Sequence, residues 1–532
     1  MYRKRAILIF PPNWSACTSS PHLALPLLVG ASRKLDWYIE TWDLSEQFYR
    51  IFSIPPSRNA IFSALSQADF NALDELYFNW EDQLRSIPSF AREAVPFRLL
   101  SGYRLSKLRS LPLEEVKRLV QKGTVYTPFF VDNVLPKLVQ AEPSVVGVTI
   151  ASQNQMVPAI ELLQLLRQSL PETYIILGGN IITRLRDSSA FKTLTSLADQ
   201  VVLFQGEMAF YKILSTVDKV GVKKSREYLP SVVSEINLPY VSWPTPVFDG
   251  ISFEHYVGIP VLPYVSTRGC YWGKCDFCAI PAGWSPKGYA GSAPCDFVAG
   301  QLAQMVMETG IPRVKFVDEA FLPRKVLPLC NLLHNAGINL EWEAYARLEP
   351  DWENATFLDK ARDGGLRKLY FGLEQAPSKS RELLGKNDLG DPLRILKACA
   401  NAGVEVHLFC MVGYPGTSRE DAKTTVQFLL ENEPLVDTAD LVGFHFDCGT
   451  KVKGIRPIRN SNCDWRMSIP YEPTCSGILS AQEVSELEIE CQEILWSTVP
   501  RFLHPLYRTV GPWKNGLVTN KDFQKPEEIV HA

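Results

Sequence analysis

Short apolar runs recur through the first part of the chain, at Ala6–Phe10, Trp37–Thr41, Val145–Ile150, Tyr174–Leu177 and Val201–Phe204. Helical spacing of apolar positions falls between them, at Leu23–Leu35 and Pro158–Leu170. Continuous apolar strands alternating with helices predict a parallel sheet covered on both faces. An insertion rich in aromatics and helix formers, at about 46–141, separates the second and third strands. Lys219–Asp249 is rich in Pro and Ser, has little periodicity and reads as a linker. A second βα series follows, with strands at Val261–Thr267, Arg313–Val317, Leu340–Ala346, Leu366–Leu373, Val404–Val412 and Leu441–Asp447. Six such strands fit an incomplete (β/α)6 barrel of the TIM type. Beyond about residue 450 the pattern is irregular until a helix opens at Ser480, with Glu483 completing a capping box. The fold class is α/β: a Rossmann-like domain over 1–230, a linker over 231–258, a partial barrel over 259–450 and a small, mostly helical C-terminal region over 451–532.

Side chains alternate faces along a strand, so each barrel strand can be divided into two sets. Leu340, Trp342, Ala344 and Ala346 oppose Glu341, Glu343, Tyr345 and Arg347. Leu369, Phe371 and Leu373 oppose Lys368, Tyr370, Gly372 and Glu374. Val404, Val406, Leu408, Cys410 and Val412 oppose Glu405, His407, Phe409, Met411 and Gly413. In the last strand Val442, Phe444 and Phe446 oppose Gly443, His445 and Asp447. A filled parallel barrel is apolar on both faces. One polar set on four strands points instead to a solvated lumen that holds a ligand; salt bridges inside a filled barrel are the plainer alternative. Active residues of such barrels stand at strand C-termini, which selects Glu319, Arg347, Glu374, Gly413 and Asp447. His407 and His445 are candidates to face substrate.

Composition narrows the class. The chain has 532 residues, 46% hydrophobic and 21% charged, with a net charge of -3. That is ordinary for a globular enzyme of two or three domains. No Lys/Arg stripe supports nucleic-acid binding. The apolar run after MYRKR stops at Pro11 and Pro12, too early for a signal peptide, and no stretch has the length of a bilayer span. The expectation is a cytoplasmic protein without membrane partners.

Twelve cysteines are too sparse here for a disulfide scaffold. Cys330, Cys399, Cys410 and Cys491 read as buried free thiols. Cys270, Cys275 and Cys278 are clustered in STRGCYWGKCDFCAIP, directly after the first barrel strand. Three thiolates can hold three irons of a [4Fe-4S] cluster and leave the fourth open. A zinc site closed by Cys295 and a redox pair at Cys275 and Cys278 are the alternatives.

This spacing after a barrel strand resembles the radical S-adenosylmethionine (SAM) superfamily, although four residues rather than three separate the first two cysteines. Members with an N-terminal cobalamin domain, including natural-product and peptide maturation enzymes, resemble the R-G-C-Y-W-G-K-C-D-F-C run closely. The resemblance implies a [4Fe-4S] cluster on the three cysteines, SAM and cobalamin as cofactors, and an electron donor such as flavodoxin or ferredoxin. It places Phe277 near the adenine, Asp318 and Glu319 near the methionyl amine, Arg347 at the carboxylate, and Glu374 and Gly413 near the ribose and adenine. Glu319, His407, His445 and Asp447 are the candidate catalytic residues.

The first domain resembles the cobalamin-binding domain of that subclass, with Gln153 and Asn154, Gly178 and Gly179, and Gly206 and Glu207 at strand ends where ligands of open parallel sheets bind. The D-x-H-x-x-G signature is missing, and His22 is the only histidine before His255. Cobalt is therefore expected to lack a protein imidazole below it, which favours methyl transfer. The implied activity is C-methylation of an unactivated carbon in a small natural product or peptide. A radical rearrangement or cyclisation without methylation, and a non-catalytic metal- or cobalamin-binding module, are the rival readings. The insertion and the C-terminal region are expected to shape substrate choice; Trp465, Tyr471 and Trp496 read as core residues there.

Overall fold

The computed structural model describes residues 4–510, apart from 17, 86–93, 99–101, 106, 107, 237 and 459–463. Two parallel sheets organise it. The first contains β1 (Arg5–Phe10), β2 (Tyr38–Asp43), β3 (Val145–Thr149), β4 (Tyr174–Gly178), β5 (Gln200–Phe204) and β6 (Val232–Glu235), in the order β2-β1-β3-β4-β5-β6. Every pairing is parallel. Ile7 and Ile9 enter the core on one face, and Ala6, Leu8 and Phe10 the core on the other. Strand order reverses between β1 and β3, the place where such sheets open a crevice beyond their C-terminal ends. The insertion supplies helices Leu44–Phe52, Arg58–Ser66 and Phe70–Arg85 and a further helical stretch ending at Ala141. Its Phe48, Tyr126, Phe129 and Phe130 join the core beneath Ile7 and Ile9.

The predicted linker is more ordered than its composition implies. Helix Glu207–Tyr228 runs into it, and Val232–Glu235 adds the sixth strand. That strand is short and sits at the sheet edge with only Glu235 buried. An edge strand needs no continuous apolar run, which is why periodicity passed it over.

The second sheet holds β7 (Leu262–Tyr264), β8 (Arg313–Phe316), β9 (Glu341–Ala346), β10 (Leu366–Glu374), β11 (Glu405–Val412) and β12 (Thr438–Gly443), side by side in chain order and all parallel. β7 and β12 are its two edges, so the barrel is open on one side. The apolar sets of β9, β10 and β11 lie in the core under the helices, as the alternation predicted. The face assigned to the last strand is reversed. Gly443 faces helix Ala481–Thr498, where a Cβ would meet Val484 and Glu488, and Asp440 faces the lumen. Leu441 to Phe444 is apolar on both parities, and Asp440 precedes the window that was read.

The C-terminal region ties the two sheets together. Leu487, Cys491 and Leu495 of helix Ala481–Thr498 enter the barrel core. Trp465, Met467, Leu506 and Tyr507 enter the core of the first sheet. Tyr471 is buried beside Phe444, and Trp496 stacks on His504. No described helix is long and apolar enough to cross a membrane.

Candidate functional site

Cys270, Cys275 and Cys278 lie on a loop closed by an antiparallel hairpin, Thr267–Gly269 against Tyr289–Ser292. The hairpin is held at its base. Both carboxylate oxygens of buried Asp318 accept from Ser266, through its N–H and its hydroxyl, at 2.6 Å each. Lys325 Nζ donates to Ser266 and Ser292, one on each arm, at 3.0 Å. Asp318 is thus committed to anchoring the loop rather than open to a methionyl amine. At Gly269 (φ +83°) a Cβ would fall 2.0 Å from the Gly288 carbonyl, so only glycine lets the strand turn into Cys270.

Residues at the C-terminal ends of three barrel strands surround this loop. Glu319 follows β8 and accepts from Trp284 Nε1 at 2.9 Å. Burial pushes its carboxyl up to about 7. Arg347 follows β9, stacks 3.6 Å over the ring of Trp272, and donates Nη2 to the Asn387 carbonyl at 2.9 Å. Its Nε and Nη1 are buried without a hydrogen-bond partner. Glu374 ends β10 and accepts from Lys386 Nζ at 2.7 Å. It adopts φ +60°, a conformation a glutamate holds only when its surroundings enforce it. Phe277 packs into a cluster with Leu384, Met411, Tyr414 and Phe444. Gly413 (φ +75°) is required by Val484, 2.7 Å from where its Cβ would stand.

All three cysteines are free and partly exposed. Burial raises the Cys275 thiol to about 11 and the Cys278 thiol to about 12. Holding them as thiolates therefore calls for a cationic ligand. Among the described residues no three His, Cys, Asp or Glu side chains converge to hold one metal ion. Ligands to separate irons of a cluster need not converge on a point. Cys295, the fourth ligand a zinc site would need, instead lies 3.7 Å from the Lys325 carbonyl. Cys330, Cys399, Cys410 and Cys491 are buried free thiols, as their setting in the sequence implied.

Below the strand ends the lumen is hollow. A cavity of about 570 Å³ is lined by Lys315, Glu343, Tyr345, Tyr370, His407, Phe409 and Asp440 from five strands. Its charges are paired: Lys315 with Glu343 at 3.2 Å, and Asp440 with Arg508. Tyr370 donates to Glu343 at 3.0 Å, and His407 Nδ1 lies 2.8 Å from the Thr438 hydroxyl. His407 Nε2 is buried without a hydrogen-bond partner. Tyr345 and Tyr370 are each roughly parallel to Phe409, giving an aromatic wall. The open side of the barrel is closed by Trp14, Ser15 and residues 18–23, after β1, and by Pro505, Arg508 and Thr509. His445 is exposed and lies outside this lining. Lys315 and Asp440 were not expected there, since β8 is short and Asp440 lies ahead of the apolar run Leu441 to Phe444; Arg508 has no local signal.

Several residues expected to contact cofactor or substrate instead join separate parts of the chain. Glu207 pairs with Arg268, Gln153 accepts from the Met467 N–H at 2.9 Å, and Asp447 pairs with Arg184 at 2.9 Å. Gly206 caps the helix that begins at Glu207. Gly179 (φ +114°) lets β4 turn, since a Cβ would meet the Ile150 carbonyl at 2.2 Å, and Gly178 ends that strand. Asn154 accepts through its carbonyl from Asn13, bridging the loops on either side of the switch point.

The radical SAM superfamily matches residues 264–429. An uncharacterized methyltransferase of Pyrococcus horikoshii is 22% identical over 305 residues, 54% of this chain and 64% of its own length. The chain therefore spans less than two thirds of that relative. The cobalamin-dependent SAM radical enzyme OxsB, solved with aqua-cobalamin and SAM, superposes with a TM-score of 0.58 at 12% identity, covering 93% of this chain and 67% of its own. The radical SAM methyltransferase TsrM from Kitasatospora setae, solved with cobalamin and a [4Fe-4S] cluster, gives 0.56 at 13% identity, covering 93% and 89%. Residues 264–429 thus match the radical SAM superfamily, and the chain shares the fold of the cobalamin-dependent enzymes OxsB and TsrM.

Proposed function

We propose that this protein is a cobalamin-dependent radical SAM methyltransferase acting on an unactivated carbon of a small natural product or peptide. The observation that carries the reading is the buried Arg347 beside the cysteine loop, with two guanidinium nitrogens lacking partners. A buried, unpaired donor of this kind is costly unless an anion completes it, and the SAM carboxylate suits it. Cys270, Cys275 and Cys278 would hold a cluster able to supply the electron for SAM cleavage, and a bound cobalamin would supply the methyl group. On this reading Glu319 and Glu374 would accept from the amine and the ribose, and Phe277 would pack against the adenine. Ser15, Thr18, Ser19 and Ser20 bring uncharged hydroxyls to the wall nearest the first sheet. Such groups suit the amide periphery of a corrin. The aromatic wall and His407 are left to orient substrate inside a closed chamber. The methyltransferase name of the Pyrococcus relative and of TsrM, itself solved with tryptophan, supports methyl transfer to a small molecule.

The test is anaerobic reconstitution with iron, sulfide and hydroxocobalamin, followed by methyl-labelled SAM and candidate acceptors. About four irons per chain, lost in Cys275→Ala, and label in a product one methyl heavier are expected. Zinc in place of iron, or SAM cleavage that never moves label to any acceptor, contradicts the assignment.

A further inference from the structure

Arg268 stands two residues before the first cysteine and is fully buried. Its Nη1 donates to Gln205 Oε1 at 2.6 Å, its Nη2 pairs with Glu207, and its guanidinium lies 4.4 Å over the ring of Trp243. Gln205 and Glu207 flank the loop at the C-terminal end of β5, in the first domain. The other flank of the cysteine loop is seated in the same way. Gly283, five residues after Cys278, lies against Asn180, the first residue of the helix after β4, so closely that a Cβ would fall 2.1 Å from the Asn180 side-chain amide nitrogen. The cysteine loop is thus gripped on both sides by residues at the C-terminal strand ends of the first sheet, the end at which ligands of open parallel sheets bind.

The connection from Arg268 to the cysteines is short and stiff. Arg268 pairs with Gly291 across the hairpin, Gly269 has no room for a side chain, and the Cys270 N–H donates to the Gly288 carbonyl at 3.2 Å. A shift of the β5 loop therefore moves Cys270 rather than being absorbed between them. The interior is close-packed and transmits such displacements. Gln205 Nε2, Glu207 Oε2 and Arg268 Nε are buried without hydrogen-bond partners, so the clamp has spare polar capacity where a second arrangement could form.

We propose that Arg268 is a positioning residue that couples cobalamin binding in the first domain to the geometry of the cluster loop. The inference rests on the cofactor reading above and goes beyond it, since two cofactors can occupy one chain without influencing each other. Coupling of this kind is reciprocal: if the cluster tightens cobalamin binding, cobalamin stabilises the cluster loop by the same factor.

The full chain is prepared without and with reconstituted cluster, and hydroxocobalamin is titrated by its absorbance. In the wild type the cluster is expected to tighten hydroxocobalamin binding about 10-fold, and hydroxocobalamin to shift the paramagnetic resonance spectrum of the reduced cluster. In Arg268→Lys, which keeps the charge but loses the fork, and in Glu207→Gln, the two binding constants should agree within about twofold and the spectral shift should vanish. Gln205→Ala, which removes one neutral bond, keeps the test open if the charged variants do not fold. Equal coupling in wild type and folded variants, or none in the wild type with both cofactors bound, overturns the inference. A wild-type chain that takes up neither cofactor removes the functional reading itself.

Discussion

Replacing Arg347 with Met separates a ligand-binding role from a structural one, because the two move different observables. The guanidinium has one hydrogen bond, to the Asn387 carbonyl at 2.9 Å, and a stacked contact with Trp272 at 3.6 Å. Those are worth about 1.5 and 1 kcal/mol. Against them stand two buried nitrogens with no partner, whose desolvation costs about 1–3 kcal/mol. The terms nearly cancel, so the ligand-free unfolding midpoint should move by no more than about 4 °C. SAM binding should change far more. Losing one or two charge-assisted bonds, about 1.5–3 kcal/mol in all, weakens SAM about 10- to 100-fold. Equilibrium dialysis with SAM and a thermal scan on the same preparation give both numbers; Arg347→Lys should fall between. SAM affinity within twofold of wild type refutes the carboxylate assignment, and a midpoint lower by about 10 °C makes Arg347 structural.

Three further perturbations test the fold around the site. Burial lowers the His407 pKa from 6.5 to about 4. The unfolded chain therefore binds the extra proton first, and His407 contributes stability that is present above pH 6.5 and lost as pH falls toward 4. Denaturant titrations at pH 7 and pH 4.5 should show His407→Gln losing less stability on acidification than wild type, by about 2 kcal/mol; an unchanged difference refutes the burial argument. Gly179→Ala should cost about 2–4 kcal/mol in denaturant melts, because its Cβ meets the Ile150 carbonyl. Gly250→Ala, at φ +77° with nothing within 4 Å, should cost only the backbone strain. Asp464 accepts from the Leu113 N–H at 2.9 Å and the Ser189 hydroxyl at 2.8 Å. Asp464→Ala should destabilise by about 1–2 kcal/mol and speed proteolysis of the C-terminal region, whereas unchanged protection would place the tie elsewhere.

What could be read from the sequence was local or periodic. The grouping of Cys270, Cys275 and Cys278 on one loop was legible because they lie within nine residues of one another. The lumen faces of β9, β10 and β11 were legible because a strand repeats every two residues and each carries a polar set. On β12 the same test fails, since Leu441 to Phe444 is apolar on both sides. The parts that escaped depend on partners far along the chain. Glu207 and Gln153 sit at strand ends where a ligand is a fair expectation, yet Arg268 and the Met467 N–H take up their oxygens. Asp447 likewise meets Arg184. No pattern within ten or twenty residues distinguishes a side chain waiting for a ligand from one that meets the other domain.

The same long-range contacts explain why the lumen is a chamber rather than a cleft. The six strands do not close on themselves, and β7 and β12 remain edges. The gap is filled by the loop after β1 and by Pro505, Arg508 and Thr509, of which Arg508 pairs with Asp440 on β12. The β1 loop leads directly from the switch point of the first sheet, so that crevice borders the lumen along its open side. A ligand inside the lumen would therefore meet the barrel strands on one side and Trp14, Ser15 and residues 18–23 on the other. The first sheet completes the barrel wall, and the C-terminal region fixes both by entering both cores. Severing either sheet would remove a wall of the chamber, which is a physical reason for the two to share one chain.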